Sequence, residues 1–122
     1  MSVFVSYARA DNSLEQLTRL RNHLANEYTD VYVDDLDWMT SGDNRLEIVC
    51  HQLVNASAFV AVVSENYLKT TWTTWEFGVA EELDIPRFAY LPNGELVDER
   101  SSGWPFDPLA HSRVRRSRNY SM

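Results

Sequence analysis

Short apolar runs rich in β-branched and aromatic residues alternate with stretches in which apolar residues recur every three or four positions. Four of the runs predict strands, at residues 3–7, 31–33, 58–63 and 86–91. The run at 58–63 is apolar at every position, which is typical of a strand in a sheet that helices cover on both faces. Pro86 is compatible with a strand because it stands at the first position.

Three helices are predicted between these strands. Ser13 with Gln16 has the form of a capping box, and Asn44 with Glu47 can begin the second helix after a polar loop. The third helix covers residues 71–82. The predicted apolar faces are Leu14, Leu17, Leu20 and Leu24 in the first helix, Leu46, Val49, Cys50, Leu53 and Val54 in the second, and Trp72, Trp75, Val79, Ala80 and Leu83 in the third.

This alternation of strand and helix predicts a flavodoxin-like α/β fold. We expect an open parallel sheet of four to five strands with helices on both faces. Ligands of such sheets bind beside the carboxyl ends of the strands. The loops at 6–11, 34–42 and 64–71 are therefore expected to form the site. After residue 92 the pattern becomes irregular, with a short edge strand expected at 112–117.

The length of 122 residues fits one domain with one core. We expect this domain to span residues 1–110, followed by a basic tail or edge strand at 111–122. No apolar run approaches the roughly 18 residues of a membrane span, and the start of the chain has none of the features of a secretory signal. The single cysteine, Cys50, excludes a disulfide framework. A cytoplasmic protein without a membrane partner is the expectation.

Charge is distributed unevenly along the chain. The part up to Asp107 contains seven basic and 18 acidic residues, a net charge of −11, whereas the remainder carries +4. So acidic a body repels a phosphate backbone, and nucleic acid is not expected as the main partner. The basic tail can contact phosphates, although a solvated terminus is the interpretation that we favour.

The third predicted helix has a carboxylate where its spacing predicts an apolar side chain. Glu76 lies four residues after Trp72 and three before Val79, so it shares their face. Burial there raises the pKa of a carboxyl group unless a cation or a donor compensates, and such placements are candidates for functional sites. Thr73 with Glu76 also matches a capping box, in which Glu76 would only close the first turn. The spacing leaves both interpretations open.

The loops that follow the first two strands contain further polar groups. Ser6, Tyr7 and Arg9 can meet a phosphorylated ligand, although an ordinary surface role is favoured for Arg9. Three acidic residues follow the second strand: Asp34, Asp35 and Asp37. Their spacing matches no ligand frame for a divalent ion, so a solvated acidic loop is favoured. The three histidines are scattered, and no metal site is expected.

The order of these motifs resembles that of a Toll/interleukin-1 receptor (TIR) domain of the short bacterial type. The resemblance covers about residues 2–92 and rests on Val3-Phe4-Val5-Ser6-Tyr7, Val31-Tyr32-Val33-Asp34, Gly42, Val60-Ala61-Val62-Val63-Ser64-Glu65-Asn66-Tyr67-Leu68 and Trp72-Thr73-Thr74-Trp75-Glu76. Many TIR domains have a fifth strand and a last helix after the fourth strand. Because only irregular residues are expected there in this chain, the sheet edge is left open for self-association.

Many TIR domains cleave NAD⁺ at the nicotinamide–ribose bond, and the resemblance implies NAD⁺ as a substrate with no permanently bound cofactor. It implies that Glu76 is the catalytic glutamate, which stabilises an oxocarbenium-like transition state at the ribose. The residues implied to contact the substrate are Ser6, Tyr7, Arg9, Asp34, Trp38, Ser64, Tyr67 and Trp72. Attack by water would give ADP-ribose, and attack by a group of the same molecule would give a cyclic form.

In Thoeris-type antiphage defence, similar TIR proteins make a nucleotide signal for a separate effector, so the resemblance implies this role together with TIR–TIR self-association. One alternative is a non-catalytic interaction module that assembles through its BB loop, residues 37–42. A second is a nucleoside deoxyribosyltransferase-like enzyme, which shares the sheet and uses a glutamate nucleophile. Turnover of NAD⁺ separates the enzyme from the module, and turnover of nucleosides would favour the deoxyribosyltransferase.

Overall fold

The computed structural model describes residues 1–34 and 45–106. The elements are β1 (Ser2–Ser6), a short 3₁₀ turn (Arg9–Asp11), α1 (Leu14–Leu24), β2 (Asp30–Val33), α2 (Arg45–Val54), β3 (Ala58–Val62), α3 (Thr71–Glu82), β4 (Arg87–Tyr90) and β5 (Leu96–Asp98). The capping box of α1 is confirmed, since the Ser13 side chain accepts from the Gln16 backbone and the Gln16 side chain accepts from the Ser13 backbone. The cap predicted at Asn44 lies outside the described residues.

The strands form one five-stranded sheet in the order β2-β1-β3-β4-β5. The first four strands are parallel, with Val5 opposite Val33 on one side and Val60 on the other. The flavodoxin-like α/β prediction is therefore confirmed. The expectation of irregular chain directly after residue 92 is wrong, because β5 turns back and pairs antiparallel with β4. The edge strand predicted at 112–117 lies outside the described residues.

Helices cover both faces of the sheet, as the continuous apolar run of β3 predicts. All five residues of β3 are buried. Alternate side chains of the strands enter two separate cores, one beneath α1 and one beneath α2 and α3. The first core contains Val3, Val5, Leu17, Leu20, Leu24, Val33, Val60 and Val62. The second contains Phe4, Val49, Leu53, Phe59, Ala61, Phe77 and Ala80.

The apolar faces predicted for the helices are partly wrong. Leu14 in α1 and Leu46 and Val54 in α2 are exposed. In α3 the buried face is rotated from the predicted one: Trp72 and Leu83 are exposed, and the buried residues are Thr73, Glu76, Phe77, Ala80 and Glu81. Phe77 packs edge-on against the Phe59 ring of β3, and this contact places the inner side of the helix.

A buried ionic cluster fixes the hairpin of β4 and β5 to α3. Arg87 Nη2 lies 3.0 Å from Glu99 Oε1 and 3.8 Å from Glu81 Oε2, and the Arg87 backbone N–H donates to Glu99. The guanidinium lies 4.6 Å from the centre of the Phe77 ring and 5.8 Å from that of Trp104. The segment after β5 is thus folded back over α3.

Among the helices in the described part of the chain, none has the length and apolar character needed to cross a bilayer.

Replacing the buried cation should destabilise the fold. Arg87→Met leaves the Glu81 and Glu99 carboxylates without it, and we expect the free energy of unfolding to fall by about 3 kcal/mol in urea titrations. The matched control is Arg100→Met, which removes an exposed pair with Asp98. That control should leave the unfolding midpoint unchanged. Equal stability of the two variants would show that the cluster contributes nothing.

Candidate functional site

The carboxylate of Glu76 is buried against the sheet and does not cap α3. The cap is Thr70, whose hydroxyl accepts from the Thr73 backbone N–H at 3.1 Å. Glu76 is 3% exposed, and its Oε1 accepts from the Ser6 hydroxyl of β1 at 2.7 Å. The capping interpretation is therefore wrong, because the helix begins three residues earlier than a cap at Thr73 requires.

Burial raises the pKa of Glu76 to about 8. Desolvation is the main cause, since a carboxylate loses its hydration there. The hydrogen bond from Ser6 opposes it, the negative charge of Asp34 raises the pKa further, and a hydrogen bond from Trp72 lowers it. A carboxyl group that changes charge near neutral pH is suited to respond to a cationic ligand.

A second hydroxyl lies behind Ser6. Tyr67, in the segment between β3 and α3, donates its phenolic O–H to Ser6 Oγ at 2.8 Å. Burial raises the pKa of Tyr67 well above its ordinary value, so the phenol keeps its proton. Its ring packs edge-on against Phe77 and lies 5.7 Å from Phe106, measured between ring centres. Three side chains from three segments thus form one buried chain of hydrogen bonds ending at Glu76.

The turn that carries Tyr67 contains a strained residue. Leu68 has a φ of 69°, the left-handed region, which costs a residue with a Cβ about 1–2 kcal/mol. Two threonines of α3 hold it in place: its N–H donates to Thr73 Oγ1, and its carbonyl accepts from Thr74 Oγ1, both at 3.2 Å. The position of Tyr67 is therefore determined by the first turn of α3.

A cleft of about 380 Å³ opens above Glu76. Its walls are Val5, Tyr7, Arg9, Ala10, Asp34, Thr70, Trp72, Thr73 and Glu76. Val5 lies near the end of β1, and the other residues follow β1 or β2 or belong to the first half of α3 and its cap, so the cleft lies at the carboxyl ends of the strands. The volume is within the range of pockets that hold small molecules.

Asp34 places a second carboxylate in this cleft. It is buried and accepts from the Tyr32 hydroxyl at 2.8 Å and from Arg9 Nη2 at 3.4 Å. The Arg9 side chain is 56% exposed, so its cation is directed to the solvent side of the pair. The cleft thus combines two buried acids at its base with a basic group at its rim.

Trp72 forms an aromatic edge of the cleft. It is 37% exposed, and its ring centre lies 5.5 Å from that of Trp75 on the same helix. A half-exposed indole that already contacts a second one offers a flat surface to a planar ring of a ligand.

Asp11 fastens together the loops that follow β1 and β3. Its carboxylate accepts from the Ser64 hydroxyl, the Asn66 backbone N–H and the Asn66 side-chain amide, each at 2.7 Å. These hydrogen bonds, that of Ser64 foremost, lower the pKa of Asp11. Because β1 and β3 are neighbours, the two loops flank the point where the strand order reverses.

The structure brings together most of the residues expected at the site. Tyr7, Arg9, Asp34 and Trp72 line the cleft with Glu76. Ser6 and Tyr67 lie behind Glu76 instead. Ser64 is not brought to the cleft, because its hydroxyl is bound to Asp11 and it lines a separate cavity of about 340 Å³ between α1 and the ends of β3 and β4. Trp38, Asp35, Asp37 and the expected BB loop lie outside the described residues.

Asp11 and Tyr32 are functional residues that the sequence patterns do not single out. A signal for Asp11 exists in the predicted topology, which makes the first and third strands neighbours, so that polar side chains shortly after each strand meet. Tyr32 resembles an ordinary strand aromatic, and its role depends on the position of Asp34. Within the described residues, no three His, Cys, Asp or Glu side chains come together as a metal site.

The raised pKa makes Glu76 a cost to stability at high pH. The native state holds its proton up to about pH 8, whereas an unfolded carboxyl releases it near 4.5, so stability falls as the pH rises between these values. At about 1.4 kcal/mol per pH unit, Glu76→Gln should raise the free energy of unfolding by about 2–4 kcal/mol at pH 9 and by far less at pH 4. Urea unfolding at both values measures this, with the exposed Glu82→Gln on the same helix as control. An equal effect at both pH values would contradict the raised pKa.

Comparison with known proteins identifies the family of the chain. A family model for the TIR domain matches residues 3–92. A search of curated protein sequences finds no match. Among solved structures, a 2-deoxyribosyltransferase from Bacillus psychrosaccharolyticus is similar, with a TM-score of 0.59 and 14% identity over 90% of this chain and 95% of that chain. At this identity the likeness concerns the fold alone. Because the family model spans most of the sequence, the chain belongs to the TIR domain family.

Proposed function

We propose that this TIR domain cleaves the nicotinamide–ribose bond of NAD⁺, with Glu76 as the catalytic carboxylate. The observation that carries the proposal is the placement of Glu76, a buried carboxyl group at the base of a cleft with an acidic neighbour and an aromatic edge. A structural carboxylate would be expected at the surface or in a salt bridge, whereas Glu76 is buried and the described residues form no salt bridge with it.

The chemistry requires few protein groups. The nicotinamide of NAD⁺ is a cation and leaves as a neutral molecule, so no general acid is needed. Positive charge develops on the ribose in the transition state, and a carboxylate beside it stabilises that charge. Glu76 must be ionised for this. A cationic ring in the cleft favours the ionised form, since an opposite charge nearby lowers the pKa of a carboxyl group.

Other cleft residues have matching roles in this proposal. Arg9, at the rim, binds the phosphates, and Asp34 accepts from ribose hydroxyls. Trp72 and Tyr7 exclude water or stack on the nicotinamide. Trp38 contacts the adenine, as the resemblance implies. Attack at the ribose by water gives ADP-ribose, and attack by a group of the same molecule gives a cyclic product.

The cellular role belongs to the proposal as well. A cytoplasmic TIR protein of antiphage defence would release the product as a signal to a separate effector, and self-association of TIR domains would control it. A non-catalytic TIR module is the alternative. A third candidate, nucleoside deoxyribosyl transfer, draws on the fold shared with the deoxyribosyltransferase.

The test is incubation of the purified protein with NAD⁺ at high protein concentration with a crowding agent, followed by mass spectrometry. We expect nicotinamide release together with a product of the mass of ADP-ribose or of its cyclic form. Glu76→Gln should lower the rate at least about 1,000-fold, because it removes the charge that stabilises the transition state. The matched control is Glu82→Gln on the exposed side of α3, which should retain the wild-type rate. A parallel incubation with deoxynucleosides and a second base tests deoxyribosyl transfer.

The pH profile provides a further expected outcome. Because Glu76 must be ionised, kcat/KM should rise with pH. It should level off above about pH 8, which is the pKa of Glu76 in the free protein. The kcat profile should rise at lower pH, since the bound cation favours the carboxylate. A profile that falls between pH 6 and 8, or equal rates for Glu76→Gln and wild type, would contradict the proposal.

A further inference from the structure

The hydrogen bonds behind Glu76 have a fixed direction. Ser6 has one hydroxyl proton. Tyr67 donates to Ser6 Oγ at 2.8 Å, and Ser6 donates to Glu76 Oε1 at 2.7 Å. In the reverse direction the buried Tyr67 O–H would need another acceptor, and the described residues provide it with none besides Ser6. Oε1 of Glu76 is therefore the acceptor of the Ser6 hydroxyl in both charge states, and the indole N–H of Trp72 is a second donor to the same carboxyl group.

We propose that Tyr67 and Ser6 are positioning residues, which hold Oε1 of Glu76 as an acceptor and thereby fix the orientation of the carboxyl group at the base of the cleft. This inference rests on the proposed function for its catalytic consequence. It also changes the role expected of both residues, which the resemblance implies to be substrate contacts. Neither lines the cleft, and both are nine-tenths buried or more.

The surroundings of Tyr67 are suited to holding a donor in place. Its ring is packed against Phe77 and Phe106. The hydrogen bond from the Leu68 backbone N–H to Thr73 holds the turn that contains Tyr67. Burial raises the pKa of Tyr67 and the negative charge of Glu76 raises it further, whereas the hydrogen bond with Ser6 and the positive charge of Arg87 lower it, so the phenol remains a protonated donor. A residue whose task is to bind substrate would be expected to line the cleft, whereas the hydroxyl of Tyr67 is bound to Ser6 and the residue is not part of the cleft wall.

Several ionisable groups face Glu76 and must be considered with it. Arg9 and Tyr7 follow β1, and Asp34 follows β2; all three line the same cleft. Tyr67 acts through Ser6. The negative charge of Asp34 raises the pKa of Glu76, whereas the hydrogen bond from the Ser6 hydroxyl lowers it. Removing the one or the other should therefore move the pKa of Glu76 in opposite directions.

The experiment compares Tyr67→Phe and Ser6→Ala with Asp34→Asn and the control Tyr28→Phe, all in the full chain. Tyr28 is a half-buried tyrosine of the core beneath α1, away from the cleft. The first readout needs no activity: an NMR titration of glutamate carboxyl carbons, with the Glu76 signal assigned by its absence in Glu76→Gln. We expect the pKa of Glu76 to rise in Ser6→Ala, to rise less in Tyr67→Phe, to fall in Asp34→Asn, and to stay unchanged in Tyr28→Phe.

The second readout is the kinetics of NAD⁺ cleavage. We expect kcat to fall about fivefold in Tyr67→Phe and about 30-fold in Ser6→Ala, with KM within about twofold of wild type, as for the loss of groups that act only on the catalytic carboxylate. The rise of kcat with pH should move to higher pH in both variants.

The outcomes separate the two proposals. The Tyr67→Phe variant preserves the packing of the ring. An unchanged pKa of Glu76 in this variant would overturn the positioning role of Tyr67 and Ser6, even if Ser6→Ala proved unstable. A raised KM with an unchanged kcat would overturn it as well, because it would make Tyr67 a substrate contact. If the wild type releases no nicotinamide, the proposed function fails. The positioning role of Tyr67 and Ser6 is then judged by the NMR titration of Glu76 alone.

Discussion

The hydrogen bond between Ser6 and Glu76 joins β1, an inner strand of the sheet, to the helix that carries the carboxylate. α3 must bury Phe77 and Ala80 against the sheet, and this packing forces their neighbour Glu76 inward as well. A donor at the end of β1 compensates part of the cost of that burial, and the cleft is arranged around the resulting pair. Without Ser6, the same packing would enclose a carboxyl group with less compensation, at a higher free energy.

The segments around the pair are rigid because side chains hold them, and not because they form regular structure. Asp11 joins the loops after β1 and β3, Thr73 supports the strained turn at Leu68, and Tyr32 orients Asp34. Each of these contacts links segments that lie close together at one end of the sheet. A cleft built in this way keeps its polar groups in place before a ligand arrives, which reduces the ordering that binding requires.

The sequence predicts the sheet, the bounds of α3 and the unusual placement of Glu76, because continuous apolar strands and helical spacing are local signals. It does not predict the rotation of α3. Thr73 can be buried because its hydroxyl is hydrogen-bonded within its own turn, so a pattern that treats polar residues as exposed assigns the wrong buried face to the helix. β5 has three residues, and its pairing depends on Arg87 and Glu99, which are distant in sequence. The separation of Ser64 from Tyr67 depends on which partner each hydroxyl reaches across the fold.

The fold-back of the chain after β5 bears on where this module ends. The family match stops at residue 92, yet Trp104 and Phe106 cover Phe77 from outside, and Glu99 neutralises Arg87. A fragment cut at the end of the family match would lose an edge strand, the cover of the second core and a buried counter-ion together. The part of the chain that folds together is thus longer than the part that the family model matches. Phe106 of the added part contacts the ring of Tyr67, whose hydroxyl donates to Ser6 beside Glu76.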